Sequence, residues 1–579
     1  METRGHVWRD LALILAISFF AFFFNIGRLG LIDPDEPFYA LTAREMVQSG
    51  DWLTPQIFGQ PQFEKPIFYY WLAAGSFALF GESEVPGRVP TSVSGTVLAV
   101  LTYFIGKGLF NRRVGLIAGA YCASAVEMIV MGRLMLTDIP LTIFVSAALY
   151  CYWLALKHPE QRDRWMFWHL VLAGFAVLTK GPIGSLATLL CTIPFSIFTR
   201  QPVLYRGKGF WQGVVAYSII VIPWYTYMIV KHGWPFIDEF FIRDNILRFL
   251  RAEHPANNTM WYYPAVILLG SIPWLPGALL ALRDLFDRVR EDHSRLFVKC
   301  WFLGNFIFLT AAASKLPSYI YYLFVPVALM IGVAVDRVLA NGFRSRGQKW
   351  TVLGASIFQT AVGFAAPSVE LARPFAATIW IFSAVMLAAL VFAALRKYAL
   401  WVAATTAAGL AFIVAALTLQ WQTIERIAST RPVAQKMMEL QKEGEPLMAG
   451  KFAVRGIHYY TRQPVVVIAN NAQPFWAAHH ALKVIHDKRG LENFLRQHPS
   501  ALVTMRLPEW HKYWRYDQFA ARENVEWFGQ NLLIRGYADL VQNQKARAEG
   551  KAPPQAPKRF DGPPAVPSIF RSTYDGEED

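Results

Sequence analysis

At 579 residues, 54% of them hydrophobic and 15% aromatic, the chain is too apolar for a string of soluble domains and reads as an α-helical polytopic membrane protein. The formal charge of +15 does not imply a nucleic-acid partner, because basic residues collect in the cytoplasmic loops of membrane proteins. Four cysteines (Cys122, Cys151, Cys191 and Cys300) lie in or beside apolar runs; they read as small buried hydrophobes, with no disulfide framework or metal-ligand spacing.

Arg4 and Arg9 precede an apolar run that includes Phe19, Phe20, Phe22, Phe23 and Phe24 and reaches about Ile26. It is long enough to cross a bilayer and lacks a small-residue cleavage site, so it reads as an uncleaved first helix. Twelve further apolar segments follow near 88–108, 113–132, 137–156, 166–180, 182–199, 209–230, 259–282, 296–313, 317–336, 350–366, 375–395 and 398–419. About thirteen transmembrane helices are therefore expected over residues 1–422. Basic groups such as Lys107/Arg112/Arg113, Lys157/Arg162/Arg164 and Arg337/Arg344/Arg346/Lys349 fall in every second loop. Positive-inside reasoning makes those loops and the N-terminus cytoplasmic. It places loops 31–87 and 231–258, and everything after Trp421, on the outer side. Residues 423–540 alternate short apolar strands ("QPVVVIAN", "ALVTMRL") with helix-like polar stretches ("RPVAQKMMELQKEGE"), which predicts a small extracytoplasmic α/β domain. The Pro-, Gly- and charge-rich stretch 541–579 has little to bury and is expected to be disordered. No internal repeat is visible.

The outer loop 31–87 carries Asp33, Asp35, Glu36, Glu45, Asp51, Glu64, Glu82 and Glu84. Within it "EPFYALTAREMVQSG" has helical periodicity and a terminating Gly50, fitting either a helix on the membrane surface or one packed on a neighbour. Juxtamembrane carboxylates commonly cap helices or stay solvated, which would suffice for Asp33 and Glu36. Asp35 and Glu64 are stronger candidates: Glu64 and Lys65 in "FEKP" present a carboxylate and an ammonium together at the lipid boundary, where charge is costly without partners or a polar ligand. Asp138 in "RLMLTDIPL" and Lys180 in "LTKGPIG" sit at outer helix ends; they either pair to fasten two helices or serve a substrate. In "FFIRDNILRFLRAEHP", Arg243, Arg248 and Arg251 accompany Asn245 and His254. Arginine forks suit phosphate, though a helix on anionic headgroups would use the same residues. Lys315, Tyr319 and Tyr321 open the "SKLPSYIYYLFVP" span. Together these pieces could line an outward-facing cavity, and a polyprenyl phosphate sugar would fit one: apolar walls for its tail, cations for its phosphate, a carboxylate at its reacting centre.

The ordered run "DPDEPFYALTAREMVQSGDWLTPQIFGQPQFEKPIFYYW", "RLMLTDIPL", "LTKGP", "FFIRDNILRF" and "SKLPSYI" resembles the bacterial aminoarabinose transferase-like glycosyltransferases of the GT-C class, alongside the protein O-mannosyltransferases. The resemblance covers roughly residues 8–420. It implies inverting transfer of a sugar from a polyprenyl phosphate, typically undecaprenyl phosphate, to a lipid or glycan acceptor such as lipid A, at the periplasmic face of the bacterial inner membrane. It further implies Asp35, Glu64 and Asp138 as catalytic carboxylates, with Lys65, Lys180, Arg243, Arg248, Tyr319 and Tyr39 around the donor phosphate. Glu64 with His254 resembles a pair associated with a divalent metal (zinc, magnesium or manganese), although two ligands are too few to define a site. Two positions depart from the pattern: Phe38 stands where an arginine is common, and Gln62 where a tyrosine is common, which weakens the case for aminoarabinose itself as the sugar. A hydroxyl acceptor would need a general base, which Asp35 could supply; a phosphate acceptor would need none. The alternatives are a transporter or flippase of a lipid-linked sugar and a protein O-mannosyltransferase. Against transport stand the missing repeat, the scarcity of charge in the middle of most spans, and the elaborated outer surface.

Overall fold

The structure is a computed structural model and describes residues 4–200, 205–253, 255–287, 292–370, 372–469, 482–498, 500–506, 525–528 and 531–535. The stretch 541–579 and His254 lie outside the described residues. Every apolar segment read from the sequence is helical. Among the described residues seven helices, Gly5–Phe23, Glu84–Leu109, Asp138–Lys157, Lys208–His232, Pro317–Asn341, Arg373–Ala394 and Tyr398–Leu419, are long and apolar enough to cross a membrane by length and composition. Two expected single helices are broken. Ala123–Ala125 separate Arg112–Cys122 from Val126–Met131, and the turn around Pro273, a residue that cannot supply an in-helix N–H, separates Tyr262–Gly270 from Leu275–Leu285.

The acidic loop is folded against the helices. Asp35–Ser49 is a helix ended by Gly50 in the left-handed conformation (φ 71°), which costs glycine little. Almost every residue from Glu36 to Met46 is buried, so the packed reading of this helix holds and the membrane-surface reading does not. Phe38 and Leu41 are buried as well, so the helix is covered on more than one side. A two-residue hairpin, Gln56–Ile57 with Gln60–Pro61, then returns the chain. Glu45 accepts both N–H groups of its turn, from Phe58 at 2.6 Å and Gly59 at 2.9 Å.

Glu36 is no solvated cap. It is 1% exposed and forms a two-pronged ion pair with Arg88 at 2.9 and 2.5 Å. It also accepts the backbone N–H groups of Ile32 and Met135. Arg88 donates to the carbonyls of Ile26, Leu29 and Gly30, satisfying backbone groups left open where the first helix ends.

After the last span, the helices Trp421–Ala428 and Arg431–Leu440 lead into a six-stranded sheet. Its strands run in the order Val484–Ile485, Val465–Ile468, Leu447–Gly450, Leu502–Arg506, Asn531–Arg535, Val525–Phe528. The first four are parallel and the last two antiparallel, a mixed sheet of the α/β kind. This C-terminal part is fastened to the acidic loop. Asp33 accepts the N–H of Thr430 at 2.7 Å and donates its own N–H to Ala428 O. Arg44 donates to Tyr459 O at 2.8 Å and pairs with Glu82, and Arg431 reaches Glu84 at 2.9 Å. The Val454–Thr461 helix approaches so closely that a Cβ on Gly456 would meet Thr430 Oγ1 at 2.0 Å and Asp33 Oδ1 at 2.5 Å. Asp33 is thus a docking residue.

Candidate active site

Two antiparallel helices place the first pair of charges. Asp138–Lys157 and Arg162–Lys180 pack against each other, so the start of one and the end of the other meet at the same end of the bundle. There Lys180 Nζ donates to Asp138 Oδ1 at 2.5 Å, and its ammonium also lies 5.2 Å from the Tyr319 ring centroid, a cation–π distance. The pairing reading of these two residues is borne out by this contact. Both also face a cavity.

Glu64 and Lys65 are delivered by the hairpin. The fully buried Gln62 side chain donates to Tyr70 OH at 2.8 Å and accepts the Glu64 N–H at 3.0 Å, which fixes the turn. Lys65 Nζ donates to Glu64 O at 3.0 Å and faces Asp244 Oδ2 at 3.6 Å. Asp244, whose side chain is 2% exposed, also lies 3.6 Å from Arg248. Arg248 in turn donates to Glu253 at 2.7 Å. The outcome is a compact lattice of opposite charges built from the acidic loop and the segment 237–250.

Two neighbouring cavities share part of this lattice. The larger, about 570 Å³, is a mostly apolar cleft walled by residues such as Ile183, Leu186, Phe240, Phe249 and Phe308. The smaller, about 170 Å³, is a chamber whose wall carries more charged side chains, among them Asp35, Asp138, Lys451 and Arg455. Glu64, Lys65, Lys180, Arg248 and Tyr319 belong to both walls, so three cations stand on the wall common to the cleft and the chamber. Of the nine residues expected from the sequence and described here, Asp35, Tyr39, Glu64, Lys65, Asp138, Lys180, Arg248 and Tyr319 come together on these walls. Arg243 does not: its guanidinium turns to Glu239 at 3.0 Å and Asp244 at 3.4 Å and joins neither wall.

Asp35 lines the chamber and remains exposed, although protein atoms crowd its carboxyl. Lost hydration raises its carboxyl above the usual carboxylate range, against the opposing pull of Arg455 and Lys65. Burial likewise raises Glu64, with the Asp244 charge adding to the effect, and lowers the Lys65 ammonium, against the pull of Asp244. Among the described residues no group of three His, Cys, Asp or Glu side chains converges on a metal-sized site. Glu64 therefore lacks a described ligand set.

Sequence reasoning missed Asp244, Glu253, Lys451 and Arg455. Asp244 sits inside a motif read for its arginines. Arg455 lies more than four hundred positions from Asp35 and carried no local signal.

Residues 64–227 match the family model described as dolichyl-phosphate-mannose-protein mannosyltransferase. An undecaprenyl phosphate-α-4-amino-4-deoxy-L-arabinose arabinosyl transferase 2 from Proteus mirabilis is 31% identical over 324 residues, 55% of this chain and 58% of that protein. An undecaprenyl phosphate-α-4-amino-4-deoxy-L-arabinose arabinosyl transferase from Shewanella sediminis is 30% identical over 345 residues, 59% of this chain and 62% of that protein. The matches span about three fifths of the length of these curated relatives. The crystal structure of ArnT from Cupriavidus metallidurans bound to undecaprenyl phosphate superposes with a TM-score of 0.73 at 21% identity, over 92% of this chain and 98% of that one.

The chain has the fold of that structure.

The superposition with that fold neighbour covers nearly the whole of both chains. The sequence matches cover 55% and 59% of the chain.

Proposed function

We propose that the protein is an inverting glycosyltransferase that moves a sugar from a polyprenyl phosphate to an envelope acceptor, lipid A or another glycolipid, at the periplasmic face of the bacterial inner membrane. In this reading the N-terminus is cytoplasmic and the C-terminal part periplasmic. The supporting observation is the wall common to the two cavities, where Lys65, Lys180 and Arg248 stand between an apolar cleft and a carboxylate-lined chamber. A polyprenyl tail matches the cleft, a phosphate the cations, and a single sugar the chamber. The names of the curated relatives and of the superposed structure, all of which specify undecaprenyl phosphate, support the same donor class.

The acceptor oxygen attacks the anomeric carbon from the side opposite the phosphate. The bond from that carbon to the phosphate oxygen breaks, and its electron pair stays on the departing polyprenyl phosphate. The three cations stabilise the charge that develops there. If the acceptor is a hydroxyl, its proton passes to Asp35, whose raised proton affinity suits a general base. Asp138 holds the Lys180 ammonium in place, and Tyr39, packed against Tyr69 and Tyr70 at ring distances of 5.2 and 5.8 Å, forms a rigid chamber wall.

The test is reconstitution in vesicles with a labelled polyprenyl phosphate sugar. Release of polyprenyl phosphate dependent on acceptor supports the transferase; passage of the intact sugar-lipid across the bilayer without cleavage makes the protein a transporter instead. The matched family model favours one second reading, transfer to a protein hydroxyl. Mass spectrometry of envelope lipids and proteins from cells with and without the gene separates the two acceptors.

A further inference from the structure

Asp244 is a carboxylate to which the proposed reaction gives no part. It lines the apolar cleft and not the chamber, whereas Lys65 and Arg248 line both, so it stands on the tail side of those cations. Its side chain is 2% exposed. It is carried by Ile237–Leu247, a helix wound more widely than an α-helix, and its Oδ1 accepts from Arg243 Nε at 3.4 Å. Its Oδ2 lies 3.6 Å from both Lys65 Nζ and Arg248 Nη1 and accepts no hydrogen bond among the described residues. A buried charged oxygen without a hydrogen bond is costly to keep.

The two cations do not depend on Asp244 for their placement. Lys65 Nζ donates to Glu64 O at 3.0 Å, and Arg248 Nε donates to Glu253 at 2.7 Å. The main chain there is held as well, since the carbonyls of Arg248 and Phe249 accept the N–H groups of Ser314 and Ala313 at 3.2 and 2.9 Å. At 3.6 Å, beyond hydrogen-bonding reach, Asp244 Oδ2 acts on both cations through its charge. Burial leaves that charge little screened by water or salt. Coulomb energy is proportional to the ligand's own charge, so a carboxylate beside the wall opposes a dianion twice as strongly as a monoanion. The two esters that meet the wall in the proposed reaction differ in this respect. The loaded donor is a phosphodiester with one negative charge, and the spent carrier is a monoester that carries close to two above neutral pH.

We propose that Asp244 is a specificity-determining residue through which the cation wall discriminates against the spent carrier, its charge weakening the hold on a phosphate monoester more than on a diester. Lys65 and Arg248 attract either ester, and Asp244, beside them both, subtracts from that attraction in proportion to the charge of the head. No bond is made or broken at Asp244; it acts on the exchange of product for the next donor. The proposal rests on the transferase reading and deepens it by naming the residue that sets this exchange. A role in orienting the two cations has the opposite signature, because loss of Asp244 would then weaken the binding of both esters alike.

The experiment uses full-length protein in phosphatidylcholine vesicles at about pH 8, where the monoester is almost fully a dianion. The probes are undecaprenyl phosphate and its methyl phosphodiester, which share one tail and differ by one charge, and the binding of each is measured directly. Asp244→Asn is expected to tighten the diester about threefold and the monoester about tenfold, the second factor being the square of the first. Inhibition of transfer by free undecaprenyl phosphate should strengthen by about the same tenfold. Asp244→Glu keeps the charge and should retain the wild-type ratio of the two affinities. Asp244→Ser, a second neutral replacement, should reproduce the ratio of Asp244→Asn and supplies the measurement if the amide variant does not insert. Weaker binding of both esters in the neutral variants overturns the assignment, as does a ratio of affinities unchanged from wild type. Absence of turnover by the wild-type protein with every donor would defeat the transferase reading, while the ratio of the two affinities would still decide the role of Asp244.

Discussion

Replacing Lys65 by methionine keeps the length of the side chain and removes its charge. In the proposed reaction the phosphate begins as a diester with one negative charge and leaves as a monoester that gains up to one more. A unit charge about 4 Å from a cation at an effective dielectric of about 20 interacts by about 4 kcal/mol. Asp244, 3.6 Å from the Lys65 ammonium, cancels part of that field, and the bond is only partly broken in the transition state. About 2–3 kcal/mol of differential stabilisation remains, which corresponds to a loss of roughly 30- to 160-fold in kcat/KM. The assay is polyprenyl phosphate release from vesicles at neutral pH, with protein amount and insertion matched to wild type. Lys65→Arg, which keeps the charge, should retain most of the activity. A Lys65→Met rate within threefold of wild type would refute the argument, and so would a Lys65→Arg rate as low as that of Lys65→Met, since charge would then not be what the position supplies.

Arg248→Gln should lower transfer by at least tenfold because that guanidinium lies on the common wall, whereas Arg243→Gln should change it less than threefold; parallel kinetics of the two variants check this. Glu36→Gln leaves the Arg88 guanidinium buried against three carbonyls without its carboxylate, and should destabilise the protein by about 3–5 kcal/mol, seen as a lower melting temperature in detergent. The Asp33 carboxyl, at the docking contact with the C-terminal part, is pushed up to about 7 by burial, against the Thr430 hydrogen bonds and the Arg506 charge and with Glu36 adding to the rise. Because the folded state then holds a proton the unfolded state has lost, stability contributed here rises as pH falls from about 7 toward the ordinary carboxylate range. Asp33→Asn should flatten that dependence in thermal melts between pH 5 and 8. A divalent ion at Glu64 and His254 predicts that chelation lowers turnover and that His254→Ala lowers it equally, with readdition of metal restoring only the wild-type protein; chelator-insensitive turnover removes the ion.

The apolar segments and the helix ended by Gly50 were legible because hydropathy and periodicity are local properties of the chain. The strands Val465–Ile468 and Leu502–Arg506 were legible for the same reason, whereas Leu447–Gly450, ending in a small residue and a glycine, gave little signal. The site divides along the same line. Glu64 and Lys65 are neighbours, and Asp138 and Lys180 end two successive helices, so simple topology brings them together. The Glu36–Arg88 pair joins the helix after the first span to a residue 52 positions later, and nothing in the acidic motif distinguished Glu36 from a solvated cap. Arg243 and Arg248 looked equivalent in sequence; five residues of wound backbone turn one to Glu239 and the other to the cavities.

The wall common to the cleft and the chamber also bears on turnover. In the proposed reaction the spent carrier keeps the same hydrocarbon tail, and its head gains negative charge exactly where Lys65, Lys180 and Arg248 converge. Nothing that held the donor is lost when the sugar leaves, except the sugar's own contacts. Carrier departure, and not bond making, would then pace the cycle, and free undecaprenyl phosphate should compete with the charged donor for entry.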